Sequence, residues 1–171
     1  MEKTEFTGNY VLKVTTEEKT GGDGKNYILE RVYMRPGVSV IAVTNEGKLR
    51  LVQESSYWDD GKTKRVKPVT GWINDDEDVW ECAKRELAEE LGLKAEAWDL
   101  FHRHESHGSI NKTQYYLLAY NLTLCEGRQE GLEKIEGYQD FTADELKEMA
   151  LARRFGTGES GYAMLKLAIS F

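Results

Sequence analysis

Residues 71–93 read GWINDDEDVWECAKRELAEELGL. The second half of this stretch carries a helical pattern: at about 100° per residue, Val79, Ala83, Leu87 and Leu91 share one arc. Glu86, Glu89 and Glu90 fall on a narrow arc beside it. That placement breaks two local rules. The peptide dipoles leave partial negative charge at a helix C-terminus, where carboxylates are unfavourable. Like charges at i, i+3 and i+4 also repel, by about 0.2 to 0.5 kcal/mol per pair. A solvated acidic face is the ordinary outcome of such a run, but these acids border the stripe that must be buried, so something has to offset their crowding.

The ends of the helix are also legible. Asn74 or a neighbouring Asp can cap it, Glu77 stands three residues after Asn74, and Gly92 suits the left-handed position beyond the last turn. The spacing predicts a helix over about 77–91. Gly71, Glu77, Arg85, Glu86, Leu87, Glu89, Glu90, Gly92 and Leu93 occupy every specified position of GX5EX7REUXEEXGU, where U is a bulky aliphatic residue. On these residues the chain resembles the Nudix hydrolases. The resemblance implies an α/β/α sandwich with a mixed β-sheet, here expected as a single domain over 1–171, with an N-terminal β-hairpin extension at 1–36 and the Nudix core at 37–171.

Clustered carboxylates without His or Cys suit a hard divalent ion, Mg²⁺ with Mn²⁺ as the alternative, and bound cations would relieve both the repulsion and the dipole penalty. By the resemblance, Glu86, Glu89 and Glu90 are the expected ligands, with the backbone carbonyl of Thr70 a further one. Glu86, Glu90 and Arg85 are expected in the catalytic set: Arg85 to orient the Glu side chains, and Glu77 to hold Arg85 or a metal-bound water. The general base is either a Glu of the box or one from a later loop, where Glu126, Glu130, Glu133 and Glu136 stand; spacing favours Glu133, then Glu136.

Lys62, Lys64, Arg65 and Lys67 precede the box, and Arg65 is the one taken as a contact for substrate phosphate. Trp58 beside Tyr57 is placed to stack on a base or ribose. The implied substrate is a small nucleoside diphosphate linked to another group, with ADP-ribose or another nucleotide sugar leading. The N-terminal hairpin and the tail YAMLKLAISF resemble the ADP-ribose pyrophosphatase branch, many members of which are homodimers. Two departures stand against that branch. Its Glu-Leu-Pro-Ala-Gly before the box is here Lys67, Pro68, Val69, Thr70, Gly71, and Glu54, Ser55, Ser56 follow Gln53 where the branch often has an Arg. A nucleotide-binding regulatory module without catalysis and a hydrolase of nucleoside triphosphates are the alternatives.

At 171 residues and 40% hydrophobic, the chain is long enough for one substantial core. Its net charge of -7 argues against nonspecific binding to nucleic acid or to an anionic membrane surface. MEKTEF lacks signal-peptide character and no apolar run approaches the ~20 residues of a membrane span, so a cytoplasmic protein is expected. Cys82 and Cys125 form no metal-ligand spacing and read as reduced packing thiols. His102, His104 and His107 read as polar residues of a strand and a turn.

Elsewhere, 9–14 and 27–35 read as strands of a hairpin around a Gly-rich turn, and VSVIAVT and KLRLVQES as core strands. DDGKTKRVKP reads as a loop, and EAWDLFHRHE and QYYLLAYNLTL as two further strands. Thr142 and Glu145 form the signature of a capping box opening a helix that stops at Gly156, and Ser160 is expected to cap a last helix.

Overall fold

The computed structural model describes residues 2–55, 61–126, 134–155 and 158–171. In chain order these form β1 (Glu2–Phe6), β2 (Val11–Thr20), β3 (Asn26–Met34), β4 (Gly37–Val43), β5 (Leu49–Ser55), β6 (Lys64–Lys67) and β7 (Val69–Trp72). There follow α1 (Val79–Leu91), β8 (Leu93–Ser106), β9 (Ile110–Leu124), β10 (Lys134–Phe141), α2 (Ala143–Leu151) and α3 (Gly158–Ser170).

The sheet runs β1-β2-β3-β9-β4-β5-β10, with β6 added to β5, β7 to β4 and β8 to β9. It is mixed, because β9 runs parallel to both β3 and β4 while the other pairs are antiparallel. Both faces of its centre are covered, so β4 is buried along its whole length and largely apolar rather than alternating. Alternation along the strands sorts the core into two layers. Val38, Val40, Ala42, Val52, Leu117 and Ala119 pack with Cys82, Ala83 and Leu87 of α1. Ile41, Val43, Leu49, Leu51, Tyr116 and Leu118 pack on the opposite face with Leu146 of α2 and Met164 and Leu167 of α3. The α/β/α sandwich is thus a consequence of the period-2 side-chain direction of strands whose two faces are equally apolar.

The hairpin extension is a three-stranded meander, since β1 adds to β2 through residues too polar to announce a strand. It meets the core through a short parallel ladder, Val32↔Ile110 and Tyr33↔Asn111. Arg35 secures its root: Nε donates to the Asn9 carbonyl (2.8 Å), Nη1 donates to the Ile73 carbonyl (3.0 Å) and pairs with Asp75 (2.8 Å). The Tyr10 ring lies 5.7 Å from that of Trp72. Every residue of the two core clusters lies at or beyond Val38.

Several boundaries differ from the sequence reading. Helix α1 starts at Val79, because Asp78 accepts from the amides of Trp80 (2.7 Å) and Glu81 (2.8 Å) while Glu81 reaches back to the Asp78 amide. The Asn74 and Glu77 pair closes the turn before it instead. Part of the expected loop 59–68 is β6, and β7 and β10 are further strands that the patterning does not reveal. Helix α2 opens on the Thr142–Glu145 box as read, but ends at Leu151; Arg153 takes the left-handed conformation (φ 55°) and Arg154 donates to the Met149 carbonyl. Gly156, the expected stop, lies outside the described residues. Helix α3 begins at Gly158, so Ser160 is inside its first turn rather than capping it. Among the described residues no helix is long and apolar enough to cross a membrane.

Leu167 of α3 is fully enclosed between the helix and the sheet. Leu167→Ala is expected to lower unfolding free energy by about 2 to 5 kcal/mol, read from the midpoint of urea denaturation at unchanged slope.

Candidate metal and phosphate site

Strand β7 lies antiparallel to β4, with Val38 opposite Gly71 and Ser39 opposite Thr70. With Cys82, Ala83 and Leu87 buried against this part of the sheet, α1 turns its acidic edge toward β7. The contact is close at Gly71. A Cβ there would stand 1.7 Å from Glu86 Oε1 and 1.9 Å from its Cδ, so the space a side chain needs is taken by the Glu86 carboxylate. This glycine is required by close approach, not by its backbone angles. Next to it, the Thr70 amide donates to Glu90 Oε1 at 3.1 Å.

Arg85 lies among the carboxylates. Its Nε and Nη2 form a two-pronged pair with Glu77 at 2.8 and 3.0 Å, and Nη1 donates to Glu86 (2.7 Å) and Glu89 (3.1 Å). Nη2 also donates to the Trp72 carbonyl at 3.2 Å. One guanidinium therefore ties three acids of α1 and its approach to the end of β7, and supplies the charge compensation that the sequence pattern calls for. The Glu86 side chain is only 12% exposed, so these contacts are poorly screened. The Arg85 hydrogen bonds, with a further one from the Asn74 amide, hold the Glu77 carboxyl below its ordinary range. The same carboxylate, followed by Glu86, raises Arg85. Burial, helped by Glu77, pushes the Cys82 thiol up to about 12, which keeps it protonated and unreactive.

The donors on this edge are hard oxygens, and their chemistry fits a hard divalent ion. Among the described residues, however, no three acidic, His or Cys side chains converge on one point closely enough to hold an ion. Glu86 and Glu89 turn toward Arg85, and Glu90 turns toward Thr70.

The other expected residues do not all lie among the described ones. Trp58 and Glu133 lie outside the described residues, as do Tyr57 and Glu130. Arg65 is exposed on β6, across from Glu54. Glu136, the second choice for a base, accepts from Ser55 Oγ at 2.6 Å and from Lys64. The histidines separate: His102 packs between the rings of Tyr116 and Tyr162, His104 faces Glu159 at 3.9 Å and His107 faces Glu105 at 3.8 Å.

One feature of the site is absent from the sequence reading. Glu54, buried on β5, pairs with Lys67 at 2.5 Å, and Lys67 donates to Thr70 Oγ1 at 2.8 Å. A charged residue on the inward-facing side of the strand LRLVQES was the available signal.

A mixed sheet thus lies between helical layers, with a glycine-bearing strand pressed against the acidic C-terminal edge of one helix. Residues 34–157 match the family model described as NUDIX domain, and the chain belongs to that family. It is a hydrolase of the Nudix type. No curated protein matches the chain. Among solved structures it is similar to one described as an ADP compounds hydrolase, at 17% identity over 98% of this chain and 89% of that one, with a TM-score of 0.80. At that identity the likeness is one of fold, and its coverage takes in the N-terminal meander.

Two outcomes follow from the geometry. Gly71→Ala must displace Glu86 and is expected to cost about 1 to 3 kcal/mol in urea denaturation. Because the folded state holds Glu77 below its ordinary value of 4.5, its contribution is complete above that pH and is lost as pH falls through the depressed value. Unfolding free energies measured from pH 6 down to 3 should therefore fall less steeply in Glu77→Gln than in the wild type.

Proposed function

We propose that the protein is a Mg²⁺-dependent pyrophosphohydrolase that cleaves a nucleoside diphosphate linked to another group, with ADP-ribose or another nucleotide sugar as the leading substrate. The observation that carries the reading is the approach of Glu86 onto Gly71 and of Glu90 onto the Thr70 amide, which sets two carboxylates and a strand backbone around one place. Glu86, Glu89 and Glu90, with the Thr70 carbonyl, would hold Mg²⁺ or Mn²⁺. When bound, the ion supplies charge neutralisation on the phosphoryl oxygens and lowers the pKa of a coordinated water.

The chain's own residues do the rest. Arg85, anchored by both Glu77 oxygens and the Trp72 carbonyl, fixes the rotamers of Glu86 and Glu89. That preorganisation removes side-chain freedom that would otherwise be lost on binding a dianionic substrate. Glu133 takes the proton of the attacking water, and Glu136 is the second choice. Arg65 and Trp58 contact the substrate, Arg65 from its exposed position on β6 across from Glu54. The similar structure described as an ADP compounds hydrolase supports a nucleoside diphosphate substrate.

A homodimer formed through the N-terminal meander, where Phe6, Tyr27 and Ile28 are exposed, and a cytoplasmic location complete the reading. No nucleic acid or membrane partner belongs to it.

The test is product formation on a panel of ADP-ribose, nucleotide sugars and nucleoside triphosphates, with Mg²⁺ and after chelation. A diphosphate-linked nucleoside should turn over only with the ion, and Glu90→Gln should lower kcat on the order of 100-fold. Tight ligand binding without product would select a nucleotide-binding module instead, and preference for triphosphates would overturn the substrate class.

A further inference from the structure

Strand 64–72 changes partners midway. Residues 64–67 pair with β5 and residues 69–72 with β4, so the chain crosses between neighbours at Pro68. Proline lacks the N–H that a continuous ladder would need there. The crossing has no main-chain ladder of its own, yet it delivers both Thr70 and Gly71 to α1.

Lys67 spans this corner. Its ammonium pairs with Glu54 Oε2 of β5 at 2.5 Å and donates to Thr70 Oγ1 at 2.8 Å, three residues ahead on the far side of the proline. The Thr70 amide in turn donates to Glu90 Oε1 at 3.1 Å. Glu54 is 11% and Lys67 21% exposed in their side chains, so the pair is sheltered from water and its geometry is narrowly defined. Glu54, Lys67, Thr70 and Glu90 thus form one continuous polar chain from the end of β5 to the acidic helix edge.

We infer that Lys67, held by Glu54, is a positioning residue for Glu90: it fixes the β6–β7 corner through the Thr70 hydroxyl and so sets the direction of the Thr70 amide that orients the Glu90 carboxylate. The inference rests on the reading of Glu90 as a metal ligand. It assigns Lys67 no contact with substrate. The ammonium acts at one remove, as the outer partners of ligating carboxylates do, where substitution costs about 10- to 100-fold in metal affinity or activity.

The test uses the full chain, wild type and Lys67→Met, Lys67→Arg and Thr70→Val, with Mn²⁺ titrated calorimetrically in the absence of nucleotide. The Thr70 amide is followed in parallel by ¹H–¹⁵N NMR without metal. Lys67→Met and Thr70→Val should each weaken Mn²⁺ binding about tenfold or more, and Lys67→Met should shift the Thr70 amide resonance, whereas Lys67→Arg should keep both close to the wild type. Thr70→Val removes the hydroxyl and keeps the corner's volume, so it decides the matter if Lys67→Met does not fold.

Wild-type uptake of Mn²⁺ with unchanged affinity in both Lys67→Met and Thr70→Val would overturn the positioning role while leaving the metal reading intact. Absence of uptake by the wild type would instead overturn the metal reading. In that case a Thr70 amide resonance that stays put in Lys67→Met overturns the positioning role as well, and one that moves in Lys67→Met and returns toward the wild-type position in Lys67→Arg supports it.

Discussion

The site is organised around one cation. Arg85 holds both oxygens of Glu77, one each of Glu86 and Glu89, and the carbonyl that ends β7. Without it, acids would stand against the negative end of a helix dipole at mutually repulsive spacings. With it, the repulsion becomes a restraint, because each carboxylate has one favourable direction in which to point. The guanidinium also joins elements that no ladder joins: the loop before α1, the helix itself and the end of a strand. Its planar fork suits this task in a way a lysine could not reproduce.

The acidic edge therefore has two layers of explanation. The sequence pattern calls for compensation and points to divalent ions as its source; the folded chain already provides a share of it internally. The two are compatible, because a partly compensated cluster keeps its shape while still presenting an excess of negative charge. A fully compensated one would offer an ion little, and an uncompensated one would splay.

Much of this was legible from residues alone. The periodicity of Val79, Ala83, Leu87 and Leu91 and the left-handed Gly92 marked the helix correctly, because both signals are local and strong. The approach of Gly71 to Glu86 matches the box pattern, although no pattern says that the reason is a carboxylate occupying the Cβ position. Strands β6, β7 and β10 leave no clear pattern in the sequence because each is stabilised across the sheet rather than along its own residues. Lys64–Lys67 alternates no apolar residues, Val69–Trp72 is four residues long, and Lys134–Phe141 is bulged between Ile135 and Gly137. The ladder of β10 on β5 is reinforced by the two-pronged pair of Asp140 with Arg50, ninety positions apart, and by the Arg50 guanidinium over Tyr138. Long-range charge pairs of this kind leave no periodic trace. The same holds for Glu54 and Lys67: read separately they were two departures from the ADP-ribose branch, and in the fold they touch.

The meander's anchorage has a mechanical meaning. Arg35 grips the Ile73 carbonyl and Asp75, while Tyr10 leans on the ring of Trp72, and the carbonyl of that same tryptophan receives Arg85. The projecting strands and the guanidinium thus pull on a shared hinge pin of two or three residues. Any load that tilts those strands, whether from a neighbouring molecule or from strain within them, is transmitted to the backbone that aims the carboxylates.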